Sequence, residues 1–199
     1  MDPGDKEGQL IVADASSLIY TKTGDDGTTG RLFGGRLAKD HLLIEACGDV
    51  DEAVAALGMA RAQLSTNPEL GVLVLELQRD LFIVAADLMA NPHARQRLVS
   101  GISLVESTMT SRVEAHIDRL IEQEPLRPVF IVPGATGPSA ALDFARTVTR
   151  RAERHTIRAA RTHSSVSSAV VMYLNRVSDL LYVLARRAAT GSDESASHL

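Results

Sequence analysis

The run ARTVTRRAER holds the residues with the clearest capacity for chemistry. Arg146, Arg150, Glu153 and Arg154 are spaced i, i+4, i+7 and i+8, so on a helix they share one face. Arg151 and Arg158 point elsewhere. Three guanidinium groups on one stripe repel one another unless something anionic lies between them. Their planar forks match phosphate and carboxylate oxygens. Two readings stand side by side. One is an anion clamp. The other is a solvated face with Glu153 pairing locally, each exposed pair contributing about 0.3–0.5 kcal/mol.

A second polar stretch, YTKTGDDGTTG, spans residues 20–30 and cannot build a core. Its glycines permit concave backbone turns whose N–H groups cradle phosphates. No G-x-x-x-x-G-K-[ST] string occurs, so it is not a Walker A loop. Gly27 stands where an EF-hand needs an oxygen ligand, which excludes that motif too. The adjacent aspartates suit loop caps, partners for arginine, or a place near Mg2+; a generic Gly/Asp turn is the plainer alternative. In YLNRVSDLLYVLAR, Asn175 and Asp179 are four apart and border an apolar stripe. Asparagine is a poor helix-interior residue unless its amide has a partner, either a neighbouring helix or the polar edge of a ligand. In GDVDE, Asp51 lies one residue from the stripe position Val50. A carboxylate near a helix seam needs a cation, and the arginine face is a ready supplier. Simple exposure of Asp51 and Glu52 is the alternative.

Long amphipathic helices must position these groups. Ile44, Cys47, Val50, Val54, Leu57 and Leu64 follow three-and-four spacing from near Asp40. After the break STNPE, Leu70, Leu73, Leu77, Leu81, Val84 and Leu88 form a seam. NPHARQ reads as a loop or soft join. Val113, Ile117, Leu120 and Ile121 mark a third helix. VFIVPGATGPSA begins β-like and places Pro138 in the first turn of a fourth helix, which runs to about Arg161. Val170, Leu174, Val177, Leu181 and Leu184 line the last. The expected fold is all-α, a five-helix up-and-down bundle with a mobile loop near its start. Residues 1–19 are expected to be flexible, 20–189 to form one helical-bundle domain, and 190–199 to be a disordered tail.

The bulk properties agree. One domain suits 199 residues, and a chain this long buries roughly 70% of its unfolded surface without staples. The net charge of −4 gives no general attraction for nucleic acid. The single Cys47 excludes an internal disulfide and fits a reducing, cytoplasmic setting; it is expected to act as a small core hydrophobe. The histidines are expected at the surface or in caps. No secretory signal and no membrane span is expected.

Taken in order, YTKTGDDGTTG, GDVDE, FIVPGA, ARTVTRRAER and YLNRVSDLLYVLAR strongly resemble the PduO-type ATP:cob(I)alamin (corrinoid) adenosyltransferases over roughly residues 18–187. The resemblance implies a homotrimer of five-helix bundles with ATP and corrinoid bound between subunits. The implied reaction transfers the 5′-deoxyadenosyl group of ATP to cobalt of reduced cobalamin and releases triphosphate, with Mg2+ accompanying ATP. It implies that Thr21, Lys22, Thr23 and Gly24 wrap the nucleotide, with Thr29, Gly30 and Lys39 completing the loop. Arg150, Arg151, Glu153 and Arg154 would supply the helical part of the ATP site, and Asn175 would contact the nucleotide. Asp51 and Arg146 would pair across the subunit boundary. Phe130 would press on the corrinoid and help displace its lower axial ligand, and Asp179 would orient an arginine or asparagine. A reductase or a cobalamin-dependent acceptor enzyme is an implied partner.

Two departures from the family pattern stand out. GRLFGGRLAK replaces the commoner SLFGGERVSK, an insertion near Arg31 offset by a deletion after Gly35. PGATG replaces PGGT, which puts a Cβ at Ala135. Other classes remain possible on sequence alone: a non-catalytic nucleotide or cobalamin carrier, or a structural or di-metal bundle. The di-iron version requires Glu-x-x-His pairs, whereas His116 and His155 each follow a glutamate by two residues.

Overall fold

The computed structural model describes residues 20–197. A short hairpin comes first, β1 (Thr28–Gly30) against β2 (Arg36–Ala38), antiparallel with Thr29 opposite Leu37. Five long helices follow: α1 (Leu42–Ala62), α2 (Pro68–Met89), α3 (Ser107–Gln123), α4 (Gly137–Ala160) and α5 (Ser168–Ala188). Between α2 and α3 the stretch Pro92–Arg97 forms a 3-10 turn, so the NPHARQ join has helical character of its own.

Side chains that satisfy orphan N–H groups fix where the helices begin. His41 Nδ1 accepts from the Leu43 N–H at 3.1 Å at the start of α1. Asn67 caps α2, with Pro68 in the first turn, and Ser167 caps α5. Thr136 and Ser139 form a reciprocal capping box at α4, with Pro138 just inside it.

α1 packs between α2 and α4, α4 packs on α5, and α3 lies along α5; α2 closes the ring against α5. The result is an all-α five-helix bundle around one apolar core. α5 carries the most deeply buried seam, including Leu174, Val177, Leu181 and Leu184. It is the one helix among the described residues long and apolar enough to cross a bilayer, but 56% of that window is buried inside the bundle.

Buried aspartates hold the layers together. Asp80 on α2 accepts from the Tyr173 hydroxyl of α5 and from Arg112 of α3, both at 2.6 Å. Burial pushes the Tyr173 hydroxyl well above its ordinary pKa, and the Asp80 charge pushes it the same way. Asp87 accepts from Arg95 at 2.7 Å and from the Val105 N–H at 3.0 Å, and so fixes the α2–α3 connection. Asp143 on α4 pairs with Arg186 on α5, which also bonds Asp193 at 2.8 Å.

The chain end differs from expectation. Residues 190–197 do not form a disordered tail: Glu194–Ser195 make a strand, β4, that pairs with β3 (Ile131–Val132). The pairing of Ile131 with Ser195 is the long-range contact that composition could not show, and the Arg186–Asp193 ion pair braces it locally. The flexible segment expected over 1–19 lies outside the described residues.

Candidate active site

α4 and α5 run side by side, and α3 covers part of their seam. The register set by the capping box turns Arg146 and Arg150 of α4 into a hollow of about 620 Å³. Asp118 of α3, Arg176 and Asp179 of α5, and Glu114 of α3 share its walls. Arg146 lies 3.6 Å from Asp143 and 5.9 Å from the centre of the Tyr182 ring. Its Nε is buried without an acceptor among the described residues. Arg150, unlike Arg146, has no ion-pair partner among them, although its backbone carbonyl accepts from Arg154 Nη1 at 3.1 Å. A cationic group with unused donors in a concave site has the chemistry to receive an anion.

Polar contacts continue across the helix seam. Asn175 Nδ2 donates to Glu153 at 3.1 Å. Arg176 donates to Asn175 Oδ1 at 3.1 Å and to Asp179 at 3.2 Å. Arg146, Arg150, Glu153, Arg154, Asn175 and Asp179 therefore lie on adjoining turns of two helices. Arg151 is not with them. It bonds Asp49 at 2.9 Å and also reaches Glu52, both on α1, and those bonds, Glu52 first, raise its pKa. Helical periodicity places Arg151 on another face, whereas the family resemblance implies that it belongs with the nucleotide residues. His155 takes the same side as Arg151 and bonds Asp49.

The N-terminal strap is held by its own polar groups. Asp26 accepts from the Thr28 hydroxyl at 2.8 Å and from the Thr28 N–H at 2.9 Å, which draws its carboxyl pKa down. It acts as a loop cap and stands 3.7 Å from Arg36. Arg36 also donates to Thr28 Oγ1 at 2.7 Å and binds the Thr23 carbonyl. Thr21 and Thr23 share a hydroxyl contact at 2.8 Å, and Lys22 adopts φ +58° in the left-handed region. Lys39 folds against Gly24, where a Cβ would meet its Nζ at 3.2 Å. Gly30 closes β1 opposite Arg36. The base of the strap is anchored to the end of α2: Leu32 N–H donates to the Met89 carbonyl at 3.0 Å, and Arg31 donates to the Ala90 carbonyl.

Thr29 and Asp51 line a second, more apolar hollow of about 320 Å³ between α1 and α2. Cys47 lies there too. It is a half-buried wall residue rather than a core filler, and burial, with Asp51 nearby, pushes its thiol up to about 11. None of the strap residues and not Asp51 lines the α3–α4–α5 hollow. The two hollows lie apart in one chain, which does not bring Asp51 to Arg146. Phe130 is 89% exposed just before β3, and its carbonyl accepts from the Ala196 N–H at 2.8 Å.

The sequence profile of the cobalamin adenosyltransferases matches residues 19–188. The chain belongs to the cobalamin adenosyltransferase family. Among its relatives in that family, a corrinoid adenosyltransferase of Mycobacterium leprae is 39% identical over 183 residues, covering 88% of this chain and 93% of the relative. The corrinoid adenosyltransferase PduO of Salmonella typhimurium is 40% identical over 172 residues; the match covers 84% of this chain but only 48% of that longer protein. A variant PduO-type ATP:corrinoid adenosyltransferase from Lactobacillus reuteri, solved with cobalamin and ATP, superposes with a TM-score of 0.81 at 31% identity. That match covers 91% of this chain and 97% of the other.

For a member of this adenosyltransferase family, several polar residues escaped the sequence reading. Arg176 sits inside the NRVSD string, yet nothing in its spacing showed that it would bridge Asn175, Asp179 and Glu114. Arg36 clasps the strap only once the hairpin register brings it opposite Gly30. Asp193 lies in a stretch whose composition reads as tail.

Proposed function

We propose that this chain transfers the 5′-deoxyadenosyl group of ATP to the cobalt of cob(I)alamin, giving adenosylcobalamin and triphosphate. The observation that carries the reading is the hollow between α3, α4 and α5, where Arg146 and Arg150 stand with unused donors. The family and the ligands named for the Lactobacillus reuteri structure support the choice of substrates.

The reaction is displacement at a saturated carbon. The electron pair on cobalt attacks C5′, the C5′–oxygen bond breaks, and triphosphate leaves with that bond's electrons. Negative charge grows on the leaving oxygen. Arg150, Arg154 and Lys22 would stabilise it by preorganised electrostatics. No protein nucleophile is needed, since the corrinoid substrate supplies the attacking pair. The protein's task is to hold C5′ in line with cobalt, for which positioning contributes up to about 7–11 kcal/mol. Exposed Phe130 would cover the lower face of the corrinoid, exclude water, and favour loss of the lower ligand. Reduced cobalt requires an electron donor, so a reductase or a cobalamin-dependent acceptor enzyme is the partner this reading calls for. We place the protein in the cytoplasm, where ATP and reductants are both available.

We infer a homotrimer: the split site supports assembly between copies, and the family resemblance supports the number three. The strap and Asp51 occupy one face and the arginine hollow another, so a complete site takes one half from each of two copies. Asp51 of one subunit would then meet the Arg146 guanidinium of its neighbour. Among the described residues no group of three or more His, Cys, Asp or Glu forms a metal cage. Mg2+ would therefore enter on the ATP phosphates, with a carboxylate at most assisting, and would neutralise triphosphate charge.

The test mixes protein, MgATP and chemically reduced cobalamin and follows the corrinoid spectrum. Appearance of the alkylated product is expected. Binding of both substrates with no product would overturn the reading in favour of a carrier.

A further inference from the structure

We infer that Arg176, braced by Glu114, is a positioning residue that sets which end of the Asn175 amide faces the nucleotide. The inference rests on the reading of Asn175 as a nucleotide contact, and it adds two residues that this reading did not contain.

An asparagine amide can present either a carbonyl acceptor or N–H donors, and the two ends are nearly the same size. Its surroundings must choose. Here Arg176 Nη1 lies 3.1 Å from Asn175 Oδ1, so the carbonyl end is occupied by a cation. At the other end Nδ2 donates to Glu153 at 3.1 Å. Turning the amide over would put N–H against N–H and carbonyl against carboxylate. The hydrogen-bond network therefore assigns one orientation. Of the four hydrogen-bonding positions on the amide, two are used, which leaves one N–H on Nδ2 and one lone pair on Oδ1. The fixed orientation gives the free donor a set place on Nδ2, where it suits a ribose or phosphate oxygen.

Arg176 needs its own restraint, because a long side chain at the wall of an open hollow has many rotamers. Glu114, on a different helix, accepts from its Nε at 2.7 Å, and Asp179 one turn along α5 accepts from Nη1 at 3.2 Å. These bonds, Glu114 first, also raise the guanidinium pKa. The chain of contacts thus runs from α3 through α5 to α4: Glu114, Arg176, Asn175, Glu153. Asp179 and Glu114 both line the hollow with Arg150, so the relay sits beside the proposed triphosphate site.

Two accounts of Glu114 give opposite signs. If it acts only as a charge, removing a carboxylate beside a polyanion site should tighten ATP binding. If it acts through Arg176 on Asn175, removing it should weaken ATP binding. The experiment measures equilibrium ATP affinity, KM for ATP and kcat for wild type, Glu114→Ala, Glu114→Gln, Asn175→Ala and the Glu114→Ala/Asn175→Ala double variant, with circular dichroism and thermal unfolding as fold controls. Expected are a loss of ATP affinity of about tenfold in Glu114→Ala, the size of one oriented hydrogen bond, with kcat little changed. Glu114→Gln, whose amide oxygen can still accept from Nε, recovers most of that loss. In the Asn175→Ala background, Glu114→Ala should have no further effect, because the residue it acts through is gone. Unchanged or tighter ATP binding in Glu114→Ala, or additive losses in the double variant, would overturn the relay while leaving the Asn175 contact standing, provided Asn175→Ala itself weakens binding. If Asn175→Ala binds ATP as wild type does, the contact fails and the relay fails with it.

Discussion

A guanidinium with no carboxylate partner has different consequences from one already paired, and α4 carries both kinds. Arg151 is tied to Asp49 and Glu52, so its charge is largely spent on holding α1 to α4. Arg150 has no such partner among the described residues and faces the hollow. Arg150→Ala should therefore lower kcat/KM by about 10²–10³-fold, the range seen on removing one preorganised donor, with its unfolding temperature near that of wild type. Steady-state kinetics beside a thermal melt checks both halves; near-normal turnover would count against the arginine clamp. Tyr173 shows the reverse pattern. It is fully buried, and its hydroxyl bonds only inside the core, to Asp80. In Tyr173→Phe, Arg112 still pairs with Asp80, so the cost should be about 1 kcal/mol, a fall of roughly 2–4 °C in Tm at this chain length, with kcat unaffected.

Helix α1 begins on a titratable cap. Burial chiefly, then the neighbouring His163 and Arg31 charges, lowers the His41 pKa; Asp40 opposes them. The His41 and His163 rings lie 4.6 Å apart between centroids. A proton on His41 would remove the Nδ1 acceptor that caps α1. Because the folded-state pKa is depressed, the unfolded chain takes up the proton first as pH falls. Stability is therefore complete above the ordinary histidine range and lost on descending through it. His41→Asn keeps a capping oxygen that does not titrate. The variant's Tm should fall less than that of wild type between about pH 8 and pH 5; equal slopes would dissociate the cap from the pH response. A second prediction belongs to β4. Removing residues 191–199 deletes the partner of Ile131 and Val132 and the Asp193 brace on Arg186. Amide exchange should then accelerate at Ile131 and at the Phe130 loop, while α1 and α2 keep their protection.

At the scale of the molecule, the proposed division of the site between the strap and the arginine hollow would make assembly part of the active site. Subunits carrying Lys22→Ala have an intact arginine half, and subunits carrying Arg150→Ala have an intact strap half. Each alone should be nearly inactive. Mixed and reassembled, they should regain part of the activity, because some boundaries then combine two intact halves. No recovery, with subunit exchange shown by mass, would place each whole site within a single chain. Asp51→Asn should weaken assembly or raise KM for ATP, read by sedimentation over a range of protein concentrations.

Much of this was legible in one dimension because helical periodicity is local. The spacing of Leu70, Leu73, Leu77 and Leu81 defines a buried face without knowledge of what covers it. The i, i+4, i+8 spacing of Arg146, Arg150 and Arg154 likewise gathers them on one side, and separates Arg151 from them. Pro138 marks the start of α4 by chemistry within a single turn. Contacts between distant segments were beyond that reach. Arg176 with Glu114 spans 62 positions, and Arg186 of α5 with Asp143 of α4 spans 43. Each depends on the relative rotation of whole helices, which only close packing of their apolar faces sets. The order of β4 against β3, and the separation of the strap from the arginine hollow, were decided in the same way.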